Sequence, residues 1–195
     1  FGGGGGPRGR GPIRGDNLEH EITVPFRTAI QGGQAHLTVQ RPGGKTESIT
    51  VKIPPGIEDL KKIRLTGQGD PSPNGGPAGD LMIRVKVAAH PLYRRQGNNL
   101  LLTVPITLAE AALGAKIDLP TPNGTLTISV PSGSSSGKKL RLKGQGVEPV
   151  RGNPGDLIVE LQIALPNSYD EGIKNTIETL QQQFAQDDLR ADLNW

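Results

Sequence analysis

From Asn17 onward the chain alternates apolar and polar positions. Leu18, His20, Ile22, Val24 and Phe26 fall on one side of an extended segment, and Glu19, Glu21, Thr23 and Pro25 on the other. That period of two predicts a strand with one buried face. Thr28 to Gln31 reads as a turn or single helical turn closed by Gly32-Gly33. Ala35, Leu37 and Val39 predict a second strand, Pro42-Gly43-Gly44 a turn, and Ile49, Val51 and Ile53 a returning strand. Pro54-Pro55-Gly56 stops it. Ile63 and Leu65 mark a short strand, Asp70 to Ala78 a Pro/Gly/Asn/Ser loop, and Leu81, Ile83, Val85 and Val87 a closing strand.

The same order then recurs. Leu100, Leu102, Val104, Ile106 and Leu108 predict a strand, followed by Ala109 to Leu113 and Gly114. Ile117 and Leu119 come before Pro122-Asn123-Gly124, a strong hairpin signal. Leu126, Ile128 and Val130 come after it, then Leu140 and Leu142, then Leu157, Val159, Leu161 and Ile163. The copies are also similar residue by residue. Lys61-Lys62-Ile63-Arg64-Leu65-Thr66-Gly67-Gln68-Gly69 returns as Lys138-Lys139-Leu140-Arg141-Leu142-Lys143-Gly144-Gln145-Gly146. Gly15-Asp16-Asn17-Leu18 matches Gly97-Asn98-Asn99-Leu100, and Gly79-Asp80-Leu81 matches Gly155-Asp156-Leu157. Two copies of roughly 75–80 residues are too few and too long for a solenoid. They predict a mainly β chain of two tandem, similar, β-sandwich-like domains.

The tail breaks the pattern. Ser168-Tyr169-Asp170-Glu171 has capping-box spacing. Ile173, Ile177, Leu180 and Phe184 then recur at helical spacing and form one apolar stripe. The expected organisation is a Gly-rich linker over 1–14, a first β repeat over 15–94, a second over 95–166, and a helical segment over 167–195. The helix stripe needs a partner surface, on a repeat or on another chain.

Composition narrows the chemistry. With no Cys there are no disulfides, thiolate zinc sites or cysteine nucleophiles, and the chain suits a reducing compartment such as the cytoplasm. No apolar run approaches the roughly 20 residues of a membrane helix. The single Met is Met82 and the chain starts at Phe1, so it reads as a piece of a longer or processed protein. The net charge of +3 comes from basic residues spread over both repeats, which reads as solvated surface. His20, His36 and His90 show no metal-ligand spacing. Gly133-Ser134-Ser135-Ser136-Gly137 matches the nucleophile-elbow pattern, but it lies in a Ser-rich loop between short strands, not between a strand and a helix. The expectation is a binding protein without catalysis, cofactor or metal.

These motifs, in this order, resemble the C-terminal substrate-binding region of DnaJ-type co-chaperones. The supporting residues are Gly56, the Lys-Lys-Ile-Arg-Leu-Thr-Gly-Gln-Gly run, Gly79-Asp80-Leu81 and His90-Pro91-Leu92-Tyr93-Arg94-Arg95. Ala111-Ala112-Leu113-Gly114 and Pro120-Thr121-Pro122-Asn123-Gly124 add to them. Ala35 to Ile53 runs on without a cysteine-rich insertion, as in the zinc-free class. The Gly-rich start is similar to the end of that family's Gly/Phe linker. His90-Pro91 is followed by Leu92, so the His-Pro-Asp of a J-domain is not present in this chain.

The resemblance implies a client-binding module that holds unfolded polypeptide segments for a DnaK-type ATP-driven chaperone. It implies a peptide groove on the first repeat at His20, Ile22, Leu37 and Val39, with Tyr93 at one end, and a homodimer joined through Ile173, Ile177, Leu180 and Phe184. Where zinc-free relatives carry Lys for their partner's acidic tail, this chain reads Gly33, Gln34 and Ala35. From the pattern of residues alone, Ile22, Leu37 and Val39 also fit an ordinary core. Two other readings stand beside the client-binding one: DNA binding through Lys61, Lys62, Lys138, Lys139, Arg141 and Lys143, and a structural β-module.

Overall fold

The computed structural model describes residues 13–41, 44–168 and 170–183. The first repeat comprises β1 (Leu18–Val24), α1 (Phe26–Gln31), β2 (Gly33–Gln40), β3 (Thr46–Ile53), β4 (Lys62–Leu65) and β5 (Leu81–Val87). The second comprises β6 (Tyr93–Gln96), β7 (Asn99–Ile106), α2 (Leu108–Leu113), β8 (Ala115–Thr121), β9 (Gly124–Val130), β10 (Lys139–Leu142) and β11 (Leu157–Ile163). Helix α3 (Glu171–Gln183) follows.

Each repeat is a small sheet with a β-hairpin packed on it. In the first, the strand order is β1-β5-β4, with β1 parallel and β4 antiparallel to β5. The hairpin is β2-β3. In the second the order is β10-β11-β7-β6, with the β8-β9 hairpin. The alternation read from the sequence decides which side faces in. Ile22 and Val24 of β1, Leu37 and Val39 of β2, and Ile83 and Val85 of β5 form one core. Leu102 and Val104 of β7, with Ile128, Val159 and Leu161, belong to the other. With so few aromatics, both cores depend on interlocking aliphatic side chains.

The motifs shared by the two copies meet at one place in each repeat. The Asp80 carboxylate accepts the Gly67 amide at 2.9 Å and Arg64 Nε at 2.6 Å, and it also pairs with Arg14. The Asp80 amide donates to Asn17 Oδ1 at 2.7 Å, and its carbonyl accepts the Leu18 amide at 2.9 Å. In the second repeat Asp156 does the same with Gly144 (2.9 Å), Arg141 Nε (2.6 Å), Asn99 Oδ1 (2.8 Å) and the Leu100 amide (2.9 Å). The preceding glycines are required by close backbone approach. A Cβ on Gly79 would lie 1.9 Å from the Asp16 carbonyl oxygen, and one on Gly155 would lie 1.8 Å from that of Asn98.

Chiefly through the Gly67 amide, against the opposing effect of burial and with help from Arg14 and Arg64, the Asp80 carboxyl is held at about 2, below its ordinary 3.8. Asp156 is also lowered, first by the Gly144 amide and then by Arg141.

The repeats dock through α1. Ile30, 4% exposed, is buried in the core cluster of the second repeat, and Phe26 packs against that cluster. Arg95 of β6 donates to the carbonyls of Ile57 at 2.6 Å and Gly56 at 2.9 Å. The corresponding helix α2 has a capping box between Thr107 and Glu110, and it exposes Leu108 and Leu113.

At α3 the structure corrects one detail of the sequence reading. The capping carboxylate is that of Asp170, which accepts the Ile173 amide at 2.8 Å, rather than the Ser168 hydroxyl. The Asp170 carbonyl already takes the Lys174 amide, so the helix starts there. No described residue of α3 is buried: Ile177 and Leu180 are 41% and 42% exposed, and Ile173 is half-buried. Phe184 lies outside the described residues.

Two outcomes are expected. Ile83→Ala or Leu161→Ala, each at a fully buried position, should cost about 2–5 kcal/mol in urea unfolding. Because the folded-state pKa of Asp80 lies below its ordinary value, its contribution is complete above pH 3.8 and is lost as pH falls toward about 2. Asp80→Asn should therefore lower the melting temperature at neutral pH and flatten its decline through that acid window, as measured by circular dichroism.

Candidate functional site

β1 ends its sheet, with β5 on one side and no paired strand among the described residues on the other. Among the described residues β2 pairs only with β3. The first repeat therefore has a free edge on each of its first two long strands, and both strands supply side chains to the same core. In the second repeat β7 is covered on both sides, by β11 and by β6. β6 runs from Tyr93 to Gln96 across the 94/95 boundary expected from the sequence, and it pairs Tyr93 with Leu102 and Gln96 with Asn99. Its signal was present in the chain: Gly97-Asn98 between two extended runs is a two-residue hairpin turn.

The expected groove residues divide into two groups. Ile22 and Leu37, each 8% exposed, and Val39, fully buried, belong to the core of the first repeat. They can support a groove from beneath but present almost no open surface. His20, on the same face of β1, is half-buried. Leu18, Ala35 and Ile49 are partly buried against that core and keep some exposed apolar surface. The opposite face of β1 is charged: Glu19, Glu21, Lys62 and Arg84, together with His20 and Met82, line a cavity of about 210 Å³.

Tyr93 does not join this group. It is 8% exposed in the core cluster of the second repeat, and its hydroxyl donates to the Pro120 carbonyl. Burial raises its pKa. Its ring sits with Phe26 and His90, at centroid separations of 6.4 Å and 5.4 Å. This trio lines a cleft between the repeats, which the sequence reading did not single out because its walls come from three separate stretches of chain.

The elbow-like serines are part of a turn. Ser134 is buried and its hydroxyl donates to the Pro131 carbonyl at 2.5 Å, while Ser136 Oγ accepts the Ile163 amide at 2.9 Å. Among the described residues no three His, Asp or Glu side chains gather as a metal site, and no helix is long and apolar enough to cross a membrane.

Residues 18–166 match the family described as the DnaJ C terminal domain. The chain belongs to this family. It is 38% identical over 151 residues to "Chaperone protein DnaJ 2" of Corynebacterium glutamicum, covering 77% of this chain and 38% of that protein. To "Chaperone protein DnaJ 2" of Cutibacterium acnes it is 41% identical over 142 residues, covering 72% and 37%. To "Chaperone protein DnaJ 1" of Streptomyces avermitilis it is 40% identical over 149 residues, covering 76% and 38%. The matched region is thus well under half of each relative. The relatives are named as chaperones, a non-enzymatic role.

The difference between the two edges is measurable. With one hydrogen bond worth about 1 kcal/mol, edge amides of β1 should exchange roughly fivefold or more faster than those of β7, read by hydrogen–deuterium exchange. Equal protection of the two strands would show that something covers the β1 edge.

Proposed function

We propose that this chain is the client-binding part of a J-domain co-chaperone. It holds extended, unfolded segments and keeps them from aggregating, without chemical change. One observation carries the reading: in the first repeat the edges of β1 and β2 are free beside half-buried His20, Leu18 and Ala35, whereas β6 closes the equivalent edge of β7 in the second. A free strand edge bonds any extended backbone, and shallow apolar surface accepts alternate side chains with little selectivity. That combination suits clients of many sequences.

Handing the held segment to a DnaK-type ATP-driven chaperone completes the cycle in this reading, in a cytoplasmic setting consistent with a chain free of Cys. A homodimer fits α3, whose Ile173, Ile177 and Leu180 stripe docks on neither repeat among the described residues. Affinity at a single groove is expected near micromolar, about 8 kcal/mol. Two grooves on one dimer would raise avidity by roughly 10²–10⁴ for a client that spans them.

The test places charge at the rim. A His20→Glu, Ala35→Glu double variant should stay folded and bind an apolar, extended peptide at least about tenfold more weakly, a loss of about 1.4 kcal/mol in fluorescence anisotropy. Unchanged affinity in the folded variant would falsify the groove. Asp at Leu37 or Val39 is unsuitable for this purpose, because a charge buried there unfolds the repeat. For the dimer, Ile177→Asp with Leu180→Asp should halve the mass in sedimentation equilibrium. A mass that does not change would remove α3 from the interface.

A further inference from the structure

We propose that the cleft between the two repeats is a second peptide site, specific for an aromatic side chain next to a carboxylate. It does not depend on the groove of the first repeat, and either site can fail alone. The cleft has a volume of about 300 Å³ and is walled by Phe26, Leu92, Tyr93 and Pro122, with Arg27 and His90 beside them. That is the small end of the range for ligand cavities, enough for one large side chain. Phe26, His90 and Tyr93 stand 5.4–6.4 Å apart, centroid to centroid, and form a ring-lined wall. An incoming aromatic ring can stack on it or meet it edge-on. Leu92, 52% exposed, leaves apolar surface open at the rim.

The polar groups select what accompanies the ring. The Tyr93 hydroxyl is taken by the Pro120 carbonyl, and the Gln31 amide by that of Pro122. His90 Nδ1 accepts the amides of Leu92 at 3.1 Å and Tyr93 at 3.2 Å, so the ring carries its proton on Nε2 and offers a donor there. The Arg27 guanidinium gives its Nε to Gln31 Oε1 at 2.7 Å and has no acidic partner among the described residues. The groups left free are donors, one of them cationic. They complement an acceptor of negative charge, and Arg27 can also lie over an aromatic face.

The occupant is an extended peptide because a second depression lies beside the cleft. Ile30 and Pro122 also line this neighbouring depression of about 520 Å³, walled by Gln31, Pro55, Asn123 and Pro149. Glu148 also lines that second depression, so the ligand's carboxylate belongs at the Arg27 end. The shared scaffold does not demand this chemistry. At the positions of Phe26, Arg27 and His90 the second repeat has Leu108, Ala109 and Pro166.

The probe is a fluorescein-labelled Gly-Ser-Trp-Asp-Ser-Gly peptide, compared with versions carrying Lys for Asp or Ala for Trp, titrated against the full chain. The Trp-Asp peptide should bind, and each replacement should weaken it roughly tenfold or more. Arg27→Glu, at an exposed position, should reverse the preference between the Asp and Lys peptides. Leu92→Ser should weaken all ring-bearing versions, while the His20→Glu, Ala35→Glu variant should leave them unchanged. Amide shifts on binding should centre on Leu92, Thr121 and Gly124. The proposal is overturned by no binding of the Trp-Asp peptide at millimolar concentration, by a charge preference that survives Arg27→Glu, or by shifts confined to β1 and β2.

Discussion

An aspartate stands at the start of the last strand of each repeat, and the rest of the repeat is arranged around it. The carboxylates of Asp80 and Asp156 each accept a glycine amide from the Gly-Gln-Gly turn and an arginine from the short strand before it, while their backbone amides donate to the side chain of an asparagine at the opening of the parallel partner strand. One residue thus ties the start of the last strand to two other pieces of chain, its carboxylate holding the Arg-to-Gly turn and its backbone amide the asparagine. The join sets β1 parallel to β5 with Leu18 opposite Leu81, and β7 parallel to β11 with Leu100 opposite Leu157. A parallel pair cannot be closed by a tight turn, so its register needs another fixed point. The charge-assisted knot supplies it, and glycine is required beside it because the chains touch there.

Once the register is set, the alternating side chains pack without further instruction. The two repeats then differ where the scaffold is indifferent. β6 closes the edge of β7, while among the described residues β1 has no counterpart cover. The short helix α1 carries Phe26 and Ile30 onto the next repeat, whereas α2 exposes Leu108 and Leu113. Binding surface in this chain arises from these asymmetries: a free edge in one repeat, and a ring-lined seam where the two meet.

Much of this was legible in the residues, some of it only in part. The strand faces followed from alternation, because a half-buried strand has no other economical pattern. The Arg-Leu-x-Gly-Gln-Gly run and Gly-Asp-Leu were visible as recurring words, but their direct contact was not, since a loop separates them. His20, Ile22, Leu37 and Val39 could be placed on one inward face. How deep each one lies depends on the hairpin that packs over it, and Val39 proves fully buried where His20 does not. Ser168 and Asp170 both suit a helix cap; the carbonyl that takes the first helical amide decides for Asp170.

By itself the sequence determined the duplication, the mainly β class, the amphipathic strands and tail helix, and the family resemblance. All of these depend on local spacing and recurring words, which one-dimensional order preserves. Only the tertiary structure decided which strand edge stays free among the described residues, that Tyr93 serves the second repeat's core and the seam, and that Arg27 faces an apolar cleft with no described acid beside it. Those properties belong to pairs of segments brought together by the fold, and their burial and charge balance exist only once the partners are in place.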